Sequence, residues 1–458
     1  MSLIEIASSG ARAMKAHLDA VMMNMANQEN RDYSRQQIET SSLGPGTNSG
    51  IRAGDGVSID GIRRICDQFL VSKEWQAGSE ESYDREAMQY LQTLEEIFSE
   101  SSTQSKNSLP ARLDAFFNSL INSEEQPDSS INRAEIINQA KVLASRLNYF
   151  NQEINNQKAG LANDRKNIVA TINNLSTNIA SYNQKIIELE STGGNSNTLR
   201  DQRDKSVREL SALIEVRVNN ANNGSYDISL QNGHPLVTGN TAGEMALTTL
   251  PGGGQQIQLK YPGSTSTVNP SCGGQLGAMN DIESNTLMPL QENIQNIAQT
   301  IEQKFNAQLQ AGYDLNSNQG KPLFHFDSNN PSRILQITDI KAEELGLSAT
   351  TGTVSDNGNL KKLIALKNEK FPALGNITIK EAADSTINDL ARKSANYKSQ
   401  FEISREELNR ANRERISANG VDENQEGPHL VEYQNLYNAN LKMIMIAGQL
   451  FSSVLEIF

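Results

Sequence analysis

Little in this 458-residue sequence supplies a thick apolar core or a reactive centre. Aromatic residues make up 5% and the hydrophobic types together 37%, which favours slender helical layers over thick globular cores. The two cysteines, Cys66 and Cys272, are far apart. They allow one bridge at most, and neither has metal-site spacing. The four histidines, His17, His234, His325 and His429, are scattered. No acid–base set gathers around them, so no catalytic, metal-binding or cofactor-binding residues are expected. Lys and Arg number 41 against 54 Asp and Glu, a net charge of −13. With no long basic run, that balance argues against nucleic acid as a partner. No uncharged apolar stretch is long enough for a membrane span, so membrane insertion is not expected. No cleavable signal peptide is visible: Met1 to Glu5 lacks a basic start, and Glu5, Arg12, Lys15 and Asp19 interrupt any apolar run. The expectation is a chain that is cytoplasmic, or exported by a route that cleaves no signal.

What the sequence does have is a heptad seam at each end. Ile4, Ala7, Ala11, Met14, Leu18, Val21 and Met25 recur at alternating steps of three and four. So do Leu430, Tyr433, Tyr437, Asn440, Ile444, Ala447, Phe451, Val454 and Phe458. Such spacing places each set on one helical stripe, the coiled-coil pattern. Leu441, Gly448 and Leu455 form a second line on the last helix, and Leu436, Met443, Leu450 and Ile457 a third. A helix apolar nearly all round needs cover on several sides. These seams predict an assembly interface, the two ends pairing with each other and with neighbouring copies. An antiparallel terminal hairpin within one chain is the alternative.

Between the ends the pattern is mainly helical. A first helix over 3–27 is weakened slightly by Gly10. Gly56 to Ile62 alternates as a short strand, and 67–122 reads as helical with a break at Ser101 to Thr103. Leu113, Phe116, Phe117 and Leu120 share one core-facing side. Ala140, Leu147, Ile154, Leu161, Ile168, Leu175, Tyr182 and Leu189 stand seven apart. Leu143 and Phe150 accompany the first half, and Ile172, Ile179 and Ile186 the second. One long helix over about 130–190 is predicted, its buried stripe shifting across a polar waist at 155–167. Asp128 or Ser129 is the candidate N-cap, and Thr192 to Gly194 the stop. Residues 214–262 alternate as strands, with a hairpin turn at Asn232-Gly233. Helical spacing returns from Gly273 through Phe305 and from Thr378 to Asn412, followed by a turn at Ile416 to Asn424.

Four stretches carry a family resemblance. They are Ala26-Asn27 leading to Tyr33-Ser34-Arg35-Gln36; Leu199 to Leu210, reading L-x-D-Q-R-D-x-x-V-x-E-L; Gly224 to Gly233; and Gly420-Val421-Asp422 leading to Tyr433 through Asn440. Together they resemble the bacterial flagellar axial proteins, nearest to the hook-associated members of the hook–filament junction. The resemblance implies a structural adaptor in which a ring of subunits joins hook to filament through oligomeric terminal helices. It implies these partners: other copies of the chain, the hook protein, a second junction protein (hook-associated protein 3), and an export chaperone on the C-terminal helix. It also implies location in the flagellum, outside the cell, after export without a cleaved signal. The implied layout pairs 1–33 with 421–458 as an inner core. Residues 34–213, 273–313 and 377–420 form a long-helix bundle, 214–272 a β-hairpin region, and 314–376 a short insertion in place of a larger outer domain. Taken by themselves, Asp201, Arg203 and Asp204 read as local ion pairs, with Leu199, Val207 and Leu210 turned to the long helix.

The fold class expected is therefore mainly α, a long helical bundle with terminal coiled-coil helices and a small inserted β-rich region. No enzyme is expected. A cell-wall hydrolase would need a clustered acid–base set. Another axial protein of hook or rod type, or a secreted coiled-coil binding protein or adhesin, is the remaining alternative. The motif from Leu199 to Leu210 argues against the first, and a self-assembling pair of ends is not needed by the second.

Overall fold

A computed structural model of the chain describes residues 3–44, 54–99, 107–249 and 254–455. The expected break at Ser101 to Thr103 lies outside these, as do Ile457 and Phe458 of the C-terminal lines. The order opens with helix α1 (Leu3–Ala26), strands β1 (Gln36–Leu43) and β2 (Gly56–Arg64), and helices α2 (Gln68–Ser99), α3 (Leu109–Asn122), α4 (Ser130–Ser191) and α5 (Asn197–Leu213). Short strands follow: β3 (Val216–Asn220), β4 (Tyr226–Leu230), β5 (Pro235–Thr238), β6 (Thr241–Ala242), β7 (Glu244–Thr249), β8 (Gln255–Tyr261) and β9 (Ser264–Thr267). Then come α6 (Gly274–Ile282), a π-helical turn (Glu283–Leu287), α7 (Met288–Gln310), β10 (Phe324–Phe326), β11 (Leu335–Ile337), α8 (Gly358–Ala365), α9 (Ile379–Asn419) and α10 (Glu423–Leu455). The fold is mainly α with a small β-rich region, as the periodicities require.

Two compact units share the chain. The first takes Met1–Ser82, Val169–Gly274 and Ile403–Phe458; the second takes Tyr83–Ile168 and Gln275–Glu402. In the first, β1 and β2 pair antiparallel with a bulge at Glu39/Thr40. Strands β3 to β6 form one antiparallel sheet and β7 to β9 another. Tyr226, Ile228 and Leu230 alternate inward along β4. The turn after β4 closes at Asn232-Gly233, where the Gly233 N–H donates to the Leu230 carbonyl. α9 continues through Ile416 to Asn419, longer than its apolar spacing suggested, because the Gly420 N–H still bonds the Ile416 carbonyl at 2.8 Å.

Long helix α4 begins and ends where its sequence signals fall. Ser129 Oγ accepts from the Asn132 N–H at 3.4 Å, and the N–H groups of Gly193 and Gly194 bond back to Glu190 and Leu189. Its seven-residue line is buried from Ala140 to Leu161 and then drifts out: Ile168, Tyr182 and Leu189 are only half-buried. Ile172, Ile179 and Ile186 replace them, each fully buried. A straight helix slips about 20° per heptad against a strict repeat of seven, so a change of stripe is the geometric consequence of its length. The polar waist holds a charge as well. Arg165 is buried, and its guanidinium meets Glu283 at 2.5 Å.

The second unit is packed with the chain's few aromatics. Phe98 stacks on Phe150 with centroids 4.3 Å apart, and Phe116 meets Phe305 at 5.1 Å and Phe324 at 5.9 Å. Residues 314–376 lie in this core: Leu323, Leu335, Leu345, Leu360 and Phe371 are all buried with it. The π-helical turn has an identifiable cause. Pro289 cannot bond the carbonyl four residues back, that of Asn285, and the Lys393 ammonium takes that oxygen instead.

Candidate functional site: the terminal helix pair

The two ends of the chain pack against each other within one molecule. Asn440 Oδ1 lies over Gly10, where a Cβ would come within 2.6 Å of it. His17 stacks on Tyr433 at 4.6 Å, and Asn24 donates to Glu426 Oε2 at 3.1 Å. Each step of seven along α1 is thus a step of seven back along α10. That is the antiparallel heptad register left open by the pattern. The single chain shields one face of the pair.

On α10, Ala447 is buried, while Tyr433, Tyr437, Asn440 and Ile444 are half-buried on the side toward α1. Phe451, Val454 and Leu455 are exposed, and Phe458 lies outside the described residues. On α1, Ala7, Ala11 and Val21 are buried, Met14, Leu18 and Met25 are half-buried, and Ile4 is exposed. The buried face of α1 also takes in Ser9, Ala13 and Asn24, none of them in the heptad seam. Strands β1 and β2 cover that side. Ser9 Oγ accepts from the Val57 N–H at 3.1 Å, and Asn24 bonds both the N–H and the carbonyl of Gln36 at 2.9 Å.

The Tyr-Ser-Arg-Gln stretch is the anchor of this pair. Tyr33 OH donates to Asn24 Oδ1 at 2.8 Å, and burial pushes its phenol up to about 12. The Ser34 N–H donates to Asp201 Oδ2 at 3.3 Å. Arg35 gives its N–H to the Asn419 carbonyl at 2.9 Å and its guanidinium to Gln425 at 2.8 Å. Two residues here had no sequence signal. Asn24 is fully enclosed by these bonds, and His429, one turn before Tyr433 on α10, stacks on that ring at 5.7 Å. Burial holds His17 below the usual imidazole range.

The acidic and basic residues of α5 are not local ion pairs, because their partners come from elsewhere in the chain. Arg64 bridges Asp201 at 2.9 Å and Asp204 at 2.7 Å. Asp204 also accepts from Tyr226 OH at 2.8 Å. Arg203 is fully buried, lies 3.5 Å over the Tyr226 ring, and donates to Asn183 and the Gly224 carbonyl. Burial pushes the Asp201 carboxyl up to about 6, against the pull of Arg64 and of Ser34. The cluster fastens β2, β4 and the Tyr-Ser-Arg-Gln stretch to one helix. Val207 and Leu210 are buried as expected, with Leu199 half-buried. Among the described residues, no three His, Cys, Asp or Glu side chains are placed to hold a metal ion, and no helix is long and apolar enough to cross a membrane.

The family model for the helical domain of the flagellar hook-associated protein FlgK matches residues 91–324, just over half of the chain. The chain belongs to the flagellar hook-associated protein FlgK family. It is 23% identical to flagellar hook-associated protein 1 of Salmonella typhimurium over 561 aligned residues covering all of both chains. It is 23% identical to that of Bacillus subtilis, over 99% of this chain and 97% of the relative. The Escherichia coli protein of the same name is 26% identical over 70% of this chain and 60% of its own length. The fold resembles the structure of the flagellar hook junction protein FlgK from Burkholderia pseudomallei, with a TM-score of 0.65 over 77% of this chain and all of the other at 16% identity. As a member of this hook-associated family, the chain has a structural role in the flagellum.

Proposed function

We propose that this chain forms a ring of subunits between hook and filament, its paired terminal helices packing against those of neighbouring copies to build the inner wall. One observation supports this above the rest. Leu450, Phe451, Val454 and Leu455 stand 52–62% exposed on adjoining faces of α10. Ile6, Met22, Met23, Val431, Met443, Met445 and Ile446 add further exposed apolar surface to the same pair. Monomeric proteins seldom leave such a surface uncovered, and copies of the same helices cover it by mass action.

The partners in this reading are the hook protein on one side and hook-associated protein 3 on the other. An export chaperone shields the apolar end of α10 before assembly. The 1–33/421–458 pair is the inner layer, and the rest of the chain lies outside it. The role is structural and not catalytic. Export through the flagellar channel without signal cleavage agrees with two unbridged cysteines, which leave no covalent loop to thread. Electron microscopy of a deletion strain tests the proposal. Intact hooks without filaments, and filament subunits shed into the medium, are the expected result. Normal filaments on the deletion strain would refute the junction role.

A further inference from the structure

The linker between α1 and β1 is gripped from two sides by charged groups. Glu74 of α2 is buried, with its side chain 2% exposed. Its carboxylate faces two guanidinium groups, Arg415 of α9 at 2.6 Å and Arg31 of the linker at 3.4 Å. Arg415 also donates to the Arg31 carbonyl at 3.0 Å, so it holds the linker backbone as well as the buried carboxylate. The next residue, Asp32, points the other way. It pairs with Arg208 and, at 3.5 Å, with Lys205, both on α5. The Arg208 contact lowers the Asp32 carboxyl against burial, which acts to raise it. Two residues on, the Ser34 N–H is bound to Asp201 of the same helix. The returning strand of chain is tied in at the same level, through the Arg35–Asn419 backbone bond and the Asp67 N–H to Asn419 Oδ1 at 2.8 Å.

A linker needs none of this to stay connected. Five consecutive residues, Arg31 to Arg35, are each bound outside the linker: Arg31 to α2 and α9, Asp32 and Ser34 to α5, Tyr33 to α1, and Arg35 to α9 and α10. We infer that Glu74, Arg415 and Asp32 form a clamp that fixes the direction in which the α1–α10 pair leaves the body of its unit, with Glu74 the central positioning residue. The inference deepens the proposed assembly role and rests on it. A subunit whose inner helices pointed loosely would meet its neighbours in the ring at the wrong angle. Removing one buried partner leaves two guanidinium groups facing each other across a neutral side chain, so the grip fails from inside. The contacts to α5 are partly exposed and salt-screened. They should hold a Glu74→Gln protein only at low ionic strength.

The test measures direction and assembly separately. Spin labels at Gln434→Cys on α10 and Glu209→Cys on α5, in a Cys66→Ser, Cys272→Ser background, report the distance distribution in the monomer. The parent should give one narrow peak at both 0.1 and 1 M NaCl. Glu74→Gln should broaden it at least twofold, more at 1 M salt, with unchanged helical circular dichroism. Glu74→Asp should recover part of the narrow peak. If Glu74→Gln does not fold, Arg31→Gln with Asp32→Asn, both partly exposed, removes the linker side of the clamp and should broaden the peak likewise. The same variants in cells should fail to retain filaments. Unchanged peak widths overturn the clamp, whatever happens to filaments, and leave the junction role standing. Broad peaks with normal flagella overturn the positioning claim.

Discussion

The exposed end of α10 gives the sharpest prediction, because its variants should spare the fold and abolish assembly. Phe451 is 62% exposed and Leu455 60%. Full burial of such a side chain is worth roughly 1.5–3 kcal/mol, so about 1–2 kcal/mol each remains to be gained in a subunit contact. With Leu450 and Val454 at similar exposure, the four offer about 4–7 kcal/mol per contact, a factor of roughly 10³–10⁵ in association. Phe451→Asp or Leu455→Asp forfeits one share and sets a carboxylate where water is excluded, at a cost of several kcal/mol more. In the monomer the same change falls on an exposed site, where substitutions shift stability by no more than about 0.5 kcal/mol. Purified variants should therefore melt within a degree or two of the parent and keep the amide-exchange protection of 140–190. Cells carrying them should show hooks without filaments by electron microscopy. Normal flagella in the Leu455→Asp strain would refute the reasoning, as would a monomer that unfolds outright.

Four further outcomes follow from the geometry. Arg203→Lys should lower stability by about 2–4 kcal/mol in urea unfolding, since an ammonium cannot both lie flat on Tyr226 and reach Asn183 and Gly224. Two groups give pH effects of opposite sign. His17 is held low by burial, so its contribution to pairing is full above its free value of 6.5 and is lost as pH falls through the lowered one. Amide exchange in 7–21 should quicken between pH 7.5 and 5, and His17→Gln should flatten that change. Asp201 is raised to about 6, so its contribution is full below 3.8 and is lost as pH rises through 6. Asp201→Asn should accordingly be least harmful near neutral pH, as judged by urea midpoints at pH 5 and 7.5. Gly346→Ala should destabilise the second unit by about 3 kcal/mol or more, because its Cβ would lie 2.1 Å from the Leu309 carbonyl and 2.9 Å from Gly320 Cα. Differential scanning calorimetry checks it.

Much of the fold is legible in the sequence. Helix boundaries were legible wherever a cap or a stop is chemical, as at Ser129 and at Gly193-Gly194 of α4. Strand β4 was legible because Tyr226, Ile228 and Leu230 alternate. The π-helical turn was not, since it depends on Lys393, distant in sequence, reaching the carbonyl that Pro289 leaves free. On α1 the heptad rule located the helix but not its whole buried face. Ser9 and Asn24 look like solvent residues until β1 and β2 supply their partners.

By itself, the sequence determined the periodic part: helical ends with an apolar stripe, a long central helix, few aromatics and scattered histidines. These are local properties, set by spacing along one chain and by side-chain type. The tertiary structure alone decided who meets whom. It made α1 and α10 antiparallel partners, turned Asp201 and Asp204 toward Arg64, and enclosed Glu74 between two arginines. A charge in a one-dimensional pattern looks solvated. Whether it is buried and paired depends on segments hundreds of residues away, and no periodicity carries that information.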